Sequence, residues 1–145
     1  MNAPSSLFKL QRFEDLDLAT APAVPPGSVV MVLCAAWCGV CRGFEAATAG
    51  VGEDFPLPAS WAWIDVEDAA DALPSLDVET FPTLAVFRGK ELRFFGPILP
   101  EAGLLRRSVR AALEGEGRPA LPEGFSPAEG QELLALAGAV AHQAG

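Results

Sequence analysis

The chain has 145 residues, half of them hydrophobic, and a formal net charge of −9. That length accommodates one domain with a core of its own and is short for two. The charge is lopsided, because residues 1–87 hold 3 basic and 12 acidic side chains whereas residues 88–145 hold 7 of each, and such a surface argues against a nucleic-acid partner. No apolar run approaches the roughly 18 residues that span a bilayer, so no membrane partner is expected. Met1-Asn2-Ala3-Pro4-Ser5-Ser6 has neither the basic nor the apolar region of a signal peptide, so the expected location is cytoplasmic and reducing.

Leu7 to Leu18 mixes Leu7, Phe8, Leu10, Phe13, Leu16 and Leu18 with charges, which predicts a short edge strand and a helical turn. Ala21-Pro22-Ala23-Val24-Pro25-Pro26-Gly27 is a stiff connector, since its prolines oppose both helix and ladder bonding. Val29 to Ala35 is continuous, β-branched and uncharged, the pattern of a strand buried on both faces. Immediately after it comes Trp37-Cys38-Gly39-Val40-Cys41-Arg42, at the start of a helix predicted to run to about Val51 with Phe44 and Ala47 inward.

Two cysteines separated by two residues at a helix start can bond around the first turn. The first then sits where unpaired backbone N–H groups stabilise a thiolate. Cys38 therefore reads as a nucleophile and Cys41 as its resolving partner. The remaining Cys34, inside the strand, reads as a small buried hydrophobe outside the redox pair. The same spacing also serves zinc, but a site would have to be completed from Cys34 and the distant His142, with no second CxxC, so no metal is expected.

Ala62 to Val66 is a second interior strand, and Asp68 to Leu76 is predicted as a short helix interrupted by Pro74. Leu84 to Arg88 and Glu91 to Phe95 form a hairpin across Gly89. Pro100 to Leu113 places Leu104, Leu105, Val109 and Leu113 at helical spacing, with Arg106, Arg107 and Arg110 on its outer face. The resulting order is β-α-β-α-β-β-α. Residues 115–125 have linker composition. Ser126-Pro127-Ala128-Glu129 then carries an N-cap, a proline at N1 and a capping-box glutamate, starting a helix whose Leu133, Leu136, Ala137 and Val140 share a face. So short a helix is marginal alone and must dock, on its own domain or on another chain. The chain thus divides into residues 1–114, a linker at 115–125 and a helical extension at 126–145.

Forty residues beyond the cysteines, Thr80-Phe81-Pro82-Thr83 leads into Leu84-Ala85-Val86-Phe87, Arg88-Gly89-Lys90-Glu91 and Leu92-Arg93-Phe94-Phe95-Gly96. Together with Trp37-Cys38-Gly39-Val40-Cys41 this resembles the thioredoxin family, over roughly Val29 to Glu114. The resemblance implies an α/β fold, a central mixed β-sheet flanked by helices, here with an extra C-terminal helix. It implies that Pro82 is cis and faces the cysteines, that the Phe81 backbone pairs with an extended peptide, and that Trp37 and Phe81 form part of the docking surface. The implied activity is thiol–disulfide exchange with a protein disulfide through the Cys38–Cys41 dithiol, without a cofactor, the electrons coming from a donor of thioredoxin-reductase type.

Four departures from the family pattern point to a specialised member. Val32 stands where a buried aspartate usually sits six residues before the first cysteine, and the partnering lysine is missing from Trp61-Ala62-Trp63-Ile64-Asp65. Val40 replaces the proline common between the cysteines, and Cys34 stands at a usual tryptophan position. The competing expectation is a thioredoxin-fold chaperone or assembly adaptor, holding a dedicated partner by the Phe81 and Trp37 surface and the C-terminal helix with little redox turnover.

Overall fold

Successive side chains of a strand point to opposite faces, and in the strand after the proline-rich connector both sets are apolar. Val29, Met31 and Leu33 enter one hydrophobic cluster while Val30, Val32 and Cys34 enter another, and none of the six is more than 1% exposed. Such a strand is stable only at the centre of a sheet covered on both sides. The computed structural model describes residues 8–19, 21–22 and 24–144, and there this strand, β2 (Ser28–Cys34), is the middle one of five.

The other strands are β1 (Gln11–Arg12), β3 (Ser60–Asp65), β4 (Thr83–Arg88) and β5 (Glu91–Pro97), in the order β1-β3-β2-β4-β5. β3 runs parallel to β1 and β2, placing Gln11, Ala62 and Met31 in one row, whereas β4 is antiparallel to both β2 and β5. The edge strand and helical turn expected early in the chain are present as β1 and a single 3-10 turn, Phe13–Asp15; Leu7 lies outside the described residues. The β4–β5 hairpin turns at Gly89, whose φ of +62° is a conformation that side chains with a Cβ rarely adopt.

Two helices, α1 (Gly39–Asp54) and α2 (Ala102–Glu114), cover the Val32 face. They contribute Phe44 and Val51, and Leu105, Val109 and Leu113, against Trp61, Trp63, Leu84 and Val86. Arg106, Arg107 and Arg110 are on the outer side of α2, as its spacing predicted. The C-terminal carbonyls of α2 are met by two arginines of the hairpin. Arg88 Nη1 donates to Leu113 O (3.1 Å) and Gly115 O (2.9 Å), and buried Arg93 donates to Ala112 O, Gly115 O and Gly117 O. Cations are favoured at this end of a helix.

The opposite face is covered by α3 (Pro127–Ala144). Leu133, Leu136, Ala137 and Val140 are all fully buried against Met31, Leu33, Ile64, Ala85 and Phe87. The capping box forms as the sequence predicts: Ser126 N donates to Glu129 Oε1 (2.9 Å) and Glu129 N to Ser126 Oγ (3.2 Å). Gln11 Nε2 donates to Val140 O (3.1 Å), tying α3 to the edge strand, and Ser75 N donates to Glu132 Oε1 (2.9 Å). The segment between α2 and α3 has a path fixed by backbone bonds: Ala120 N donates to Arg93 O and Phe95 N to Ala120 O, extending the sheet beside β5.

The helix predicted at Asp68 to Leu76 does not form; this stretch is a series of turns. Asp65 Oδ1 accepts from Glu67 N (2.8 Å) and Asp68 N (3.4 Å), offering the backbone a local alternative to the helix. Pro74 then lacks a donor and disfavours helical geometry at Leu73. Ala69 and Leu73 still reach the core beneath α3.

Candidate active site

The end of β2 and the start of α1 place three cysteines within eight residues. Cys34 is the last residue of β2 and shares the inward parity of Val30 and Val32. Ala35 and the exposed Ala36 and Trp37 carry the chain round to Cys38, whose N–H donates to Ala35 O (2.9 Å). Cys38 is the N-cap of α1, with extended φ and ψ of −86° and 113° and no capping bond from its side chain. Cys41 lies in the first turn, its N–H donating to Cys38 O (3.1 Å), and faces the sheet.

Cys41 is bonded to Cys34, and Cys38 is the free, partly exposed thiol. The expectation that Cys34 stands apart from the cysteine pair as a small buried hydrophobe therefore needs correction. Strand parity and the first turn of α1 send the Cys34 and Cys41 side chains into the same buried cluster, with their Cα atoms 6.0 Å apart, within the usual range for a disulfide. Cys34 is buried, as expected of it, but as a disulfide partner. The CxxC spacing of Cys38 and Cys41 leaves Cys34 out of view, and its parity with Val32 was the available signal.

Phe81 and Pro82 precede β4, which lies beside β2. The Phe81–Pro82 peptide bond is cis. Pro82 is buried, its carbonyl accepts from Ile98 N (3.0 Å), and Thr83 Oγ1 donates to Thr80 O (2.6 Å), closing the turn ahead of the strand. The Phe81 ring meets Trp37 edge-on, with ring centroids 5.9 Å apart and planes at 83°. Trp37 is 64% exposed and Val40 52%, so an apolar ledge flanks Cys38. Among the described residues the backbone of Phe81 makes no hydrogen bond.

Cys34 and Cys41 also line a cavity of about 260 Å³, with Arg12, Arg42, Glu45 and Asp65 on its walls; Arg12 and Glu45 form an ion pair. Neither Trp37, Cys38, Phe81 nor Pro82 lines it. Val32 is fully buried, paired in register with Trp63 on β3 and Leu84 on β4, so the wall behind the cysteines is apolar at that position. Among the described residues no group of three or more His, Cys, Asp and Glu side chains is placed to hold a metal ion.

The thioredoxin sequence profile matches residues 21–96, more than half of the chain. The chain belongs to the thioredoxin family. Solved structures agree on the fold. The first thioredoxin domain of a mouse protein disulfide-isomerase superposes with a TM-score of 0.55 at 23% identity, covering 70% of this chain and 73% of that one. A mutant thioredoxin from Halobacterium salinarum gives 0.54 at 23% identity, over 81% and 99% of the two chains. Thioredoxin f from spinach chloroplast gives 0.57 at 16% identity, over 74% and 90%. At such identities the likeness is one of fold. Comparison with curated protein sequences gives no match. This thioredoxin-family chain thus carries a cysteine pair at bonding distance, and among the described residues no helix is long and apolar enough to cross a membrane.

Proposed function

We propose that the protein is a thiol–disulfide oxidoreductase that reduces or exchanges protein disulfides, with Cys38 as nucleophile and Cys41 as resolving thiol. The observation that carries this reading is the position of Cys38: a free thiol at the N-cap of α1, beside the Trp37–Phe81 ledge and the cis Phe81–Pro82 turn. Only a thiolate attacks, and Cys38 is the cysteine left unbonded and accessible to a client.

The reaction balances in two displacements. The Cys38 thiolate attacks one sulfur of the client disulfide, forming a mixed disulfide and expelling one client thiolate. The Cys41 thiolate then attacks the Cys38 sulfur, expelling the second client thiolate and leaving a Cys38–Cys41 disulfide. The client gains two electrons and two protons, which a dithiol donor of thioredoxin-reductase type returns to the protein. A reducing compartment such as the cytoplasm suits this direction.

An extended client segment would lie along the Phe81 backbone, whose donor and acceptor have no partner among the described residues, with Trp37 and Phe81 supplying apolar contact. The test is a Cys41→Ser protein, which cannot resolve the first intermediate and should accumulate a mixed disulfide with insulin through Cys38. Absence of that adduct, with Cys38 reduced and accessible to iodoacetamide, would favour the adaptor reading, in which the ledge binds a partner without turnover.

A further inference from the structure

We infer that Cys34 is a third redox residue, which takes Cys41 over from Cys38 after turnover and stores the disulfide inside the protein. The inference rests on the exchange reading just given, since it begins where that reaction ends. Cys41 is the sulfur that both alternatives share. Cys38 precedes it by three residues on the first turn of α1, while Cys34 approaches from the end of β2 with a Cα separation of 6.0 Å and is bonded to it. Cys38, partly exposed, packs against the edge of the same cluster that buries Cys34 and Cys41.

The step is an internal exchange with no net oxidation. Cys34 gives up its proton and attacks the Cys41 sulfur of the Cys38–Cys41 disulfide. The Cys34–Cys41 bond forms, the Cys38–Cys41 bond breaks, and the electron pair leaves on Cys38 as a thiolate, which takes up a proton. The outcome is an oxidised protein whose nucleophile is free again. Its disulfide is withdrawn, because Cys34 and Cys41 are 1% and 2% exposed. It is not sealed, because both cysteines line the cavity walled by Arg12, Arg42, Glu45 and Asp65, which Cys38 and the aromatic ledge do not border. Client and electron donor therefore have separate approaches, and a donor dithiol reaches the stored disulfide from the charged cavity.

Fully reduced wild-type protein is mixed with insulin, samples are quenched in acid over time, free thiols are alkylated and the linkages are read by tandem mass spectrometry. Early samples should contain the Cys38–Cys41 linkage with Cys34 alkylated, and late samples Cys34–Cys41 with Cys38 alkylated. A Cys38→Ser protein oxidised with diamide should still form Cys34–Cys41 and be reduced again by dithiothreitol. Reduction of insulin by a wild-type protein that ends as Cys38–Cys41 with Cys34 alkylated would overturn the storage role and leave the exchange reading standing. Failure of the Cys38→Ser protein to form a disulfide would overturn it as well. No insulin reduction and no adduct with Cys41→Ser would instead overturn the exchange reading itself.

Discussion

Cys38, Cys34 and Cys41 differ in exposure far more than in chemistry. In the reduced protein iodoacetamide should therefore label Cys38 first, with Cys34 and Cys41 lagging because they are at most 2% exposed. Peptide mapping after short exposure at neutral pH checks this, and equal rates at all three would contradict the site geometry. A second residue-scale expectation concerns the hairpin end. Desolvation raises the Glu91 carboxyl, but hydrogen bonds and charge from Arg88 and Arg93 outweigh it and hold the group below its ordinary value of 4.5. A lowered folded value means that Glu91 contributes stability above the ordinary value and loses it as pH falls through the lowered one. The difference in melting temperature between wild type and Glu91→Gln, measured from neutral to acid pH, should therefore shrink to nothing at the acid end. The positions of the candidate site residues were readable in Cys38-Gly39-Val40-Cys41 and in Thr80-Phe81-Pro82-Thr83. The bond of Cys34 to Cys41 was not, because a cysteine in an apolar strand looks like its neighbours until strand parity is combined with the helix that covers that face.

At the scale of elements, β2, the hairpin and the α3 capping box follow directly from local patterns: unbroken β-branched residues, a glycine at positive φ, and Ser126 three residues before Glu129. Ser126→Ala removes a cap that satisfies the Glu129 N–H and should cost about 1 kcal/mol in denaturant unfolding. The expected helix at Asp68 to Leu76 gives way to turns because Asp65 and Pro74 decide the backbone there. The segment after α2 was read as linker because its pairing with β5 uses main-chain groups, which leave no side-chain pattern. Close packing of α1 on the sheet gives another element-scale test. A Cβ on Gly52 would lie 2.6 Å from the Phe8 ring and 2.9 Å from Trp61, so Gly52→Ala should destabilise by about 1–3 kcal/mol despite its better helix propensity. A gain in stability would show that this contact relaxes freely.

For the whole molecule, α3 matters most, because it packs on one face of the sheet over its central strands β3, β2 and β4. The sequence indicated that this helix must dock but not where; its seat is its own domain, on Met31, Leu33, Ile64, Ala85 and Phe87. Burying a side chain such as Leu133 or Leu136 contributes about 1.5–3 kcal/mol, and truncation after Glu114 removes several at once. The truncated chain should melt at a lower temperature at every protein concentration. A loss seen only on dilution would place the stabilising contact between chains. With both faces covered, β2 and α1 hold the cysteines in fixed relation, and the functional account depends on whether that arrangement turns over. The most direct measurement is the rate of insulin reduction by dithiothreitol, followed by precipitation of the free B chain, with wild-type protein and with Cys38→Ser. The account predicts acceleration by wild type that is abolished in Cys38→Ser; equal rates with wild type, with Cys38→Ser and with no protein would contradict it.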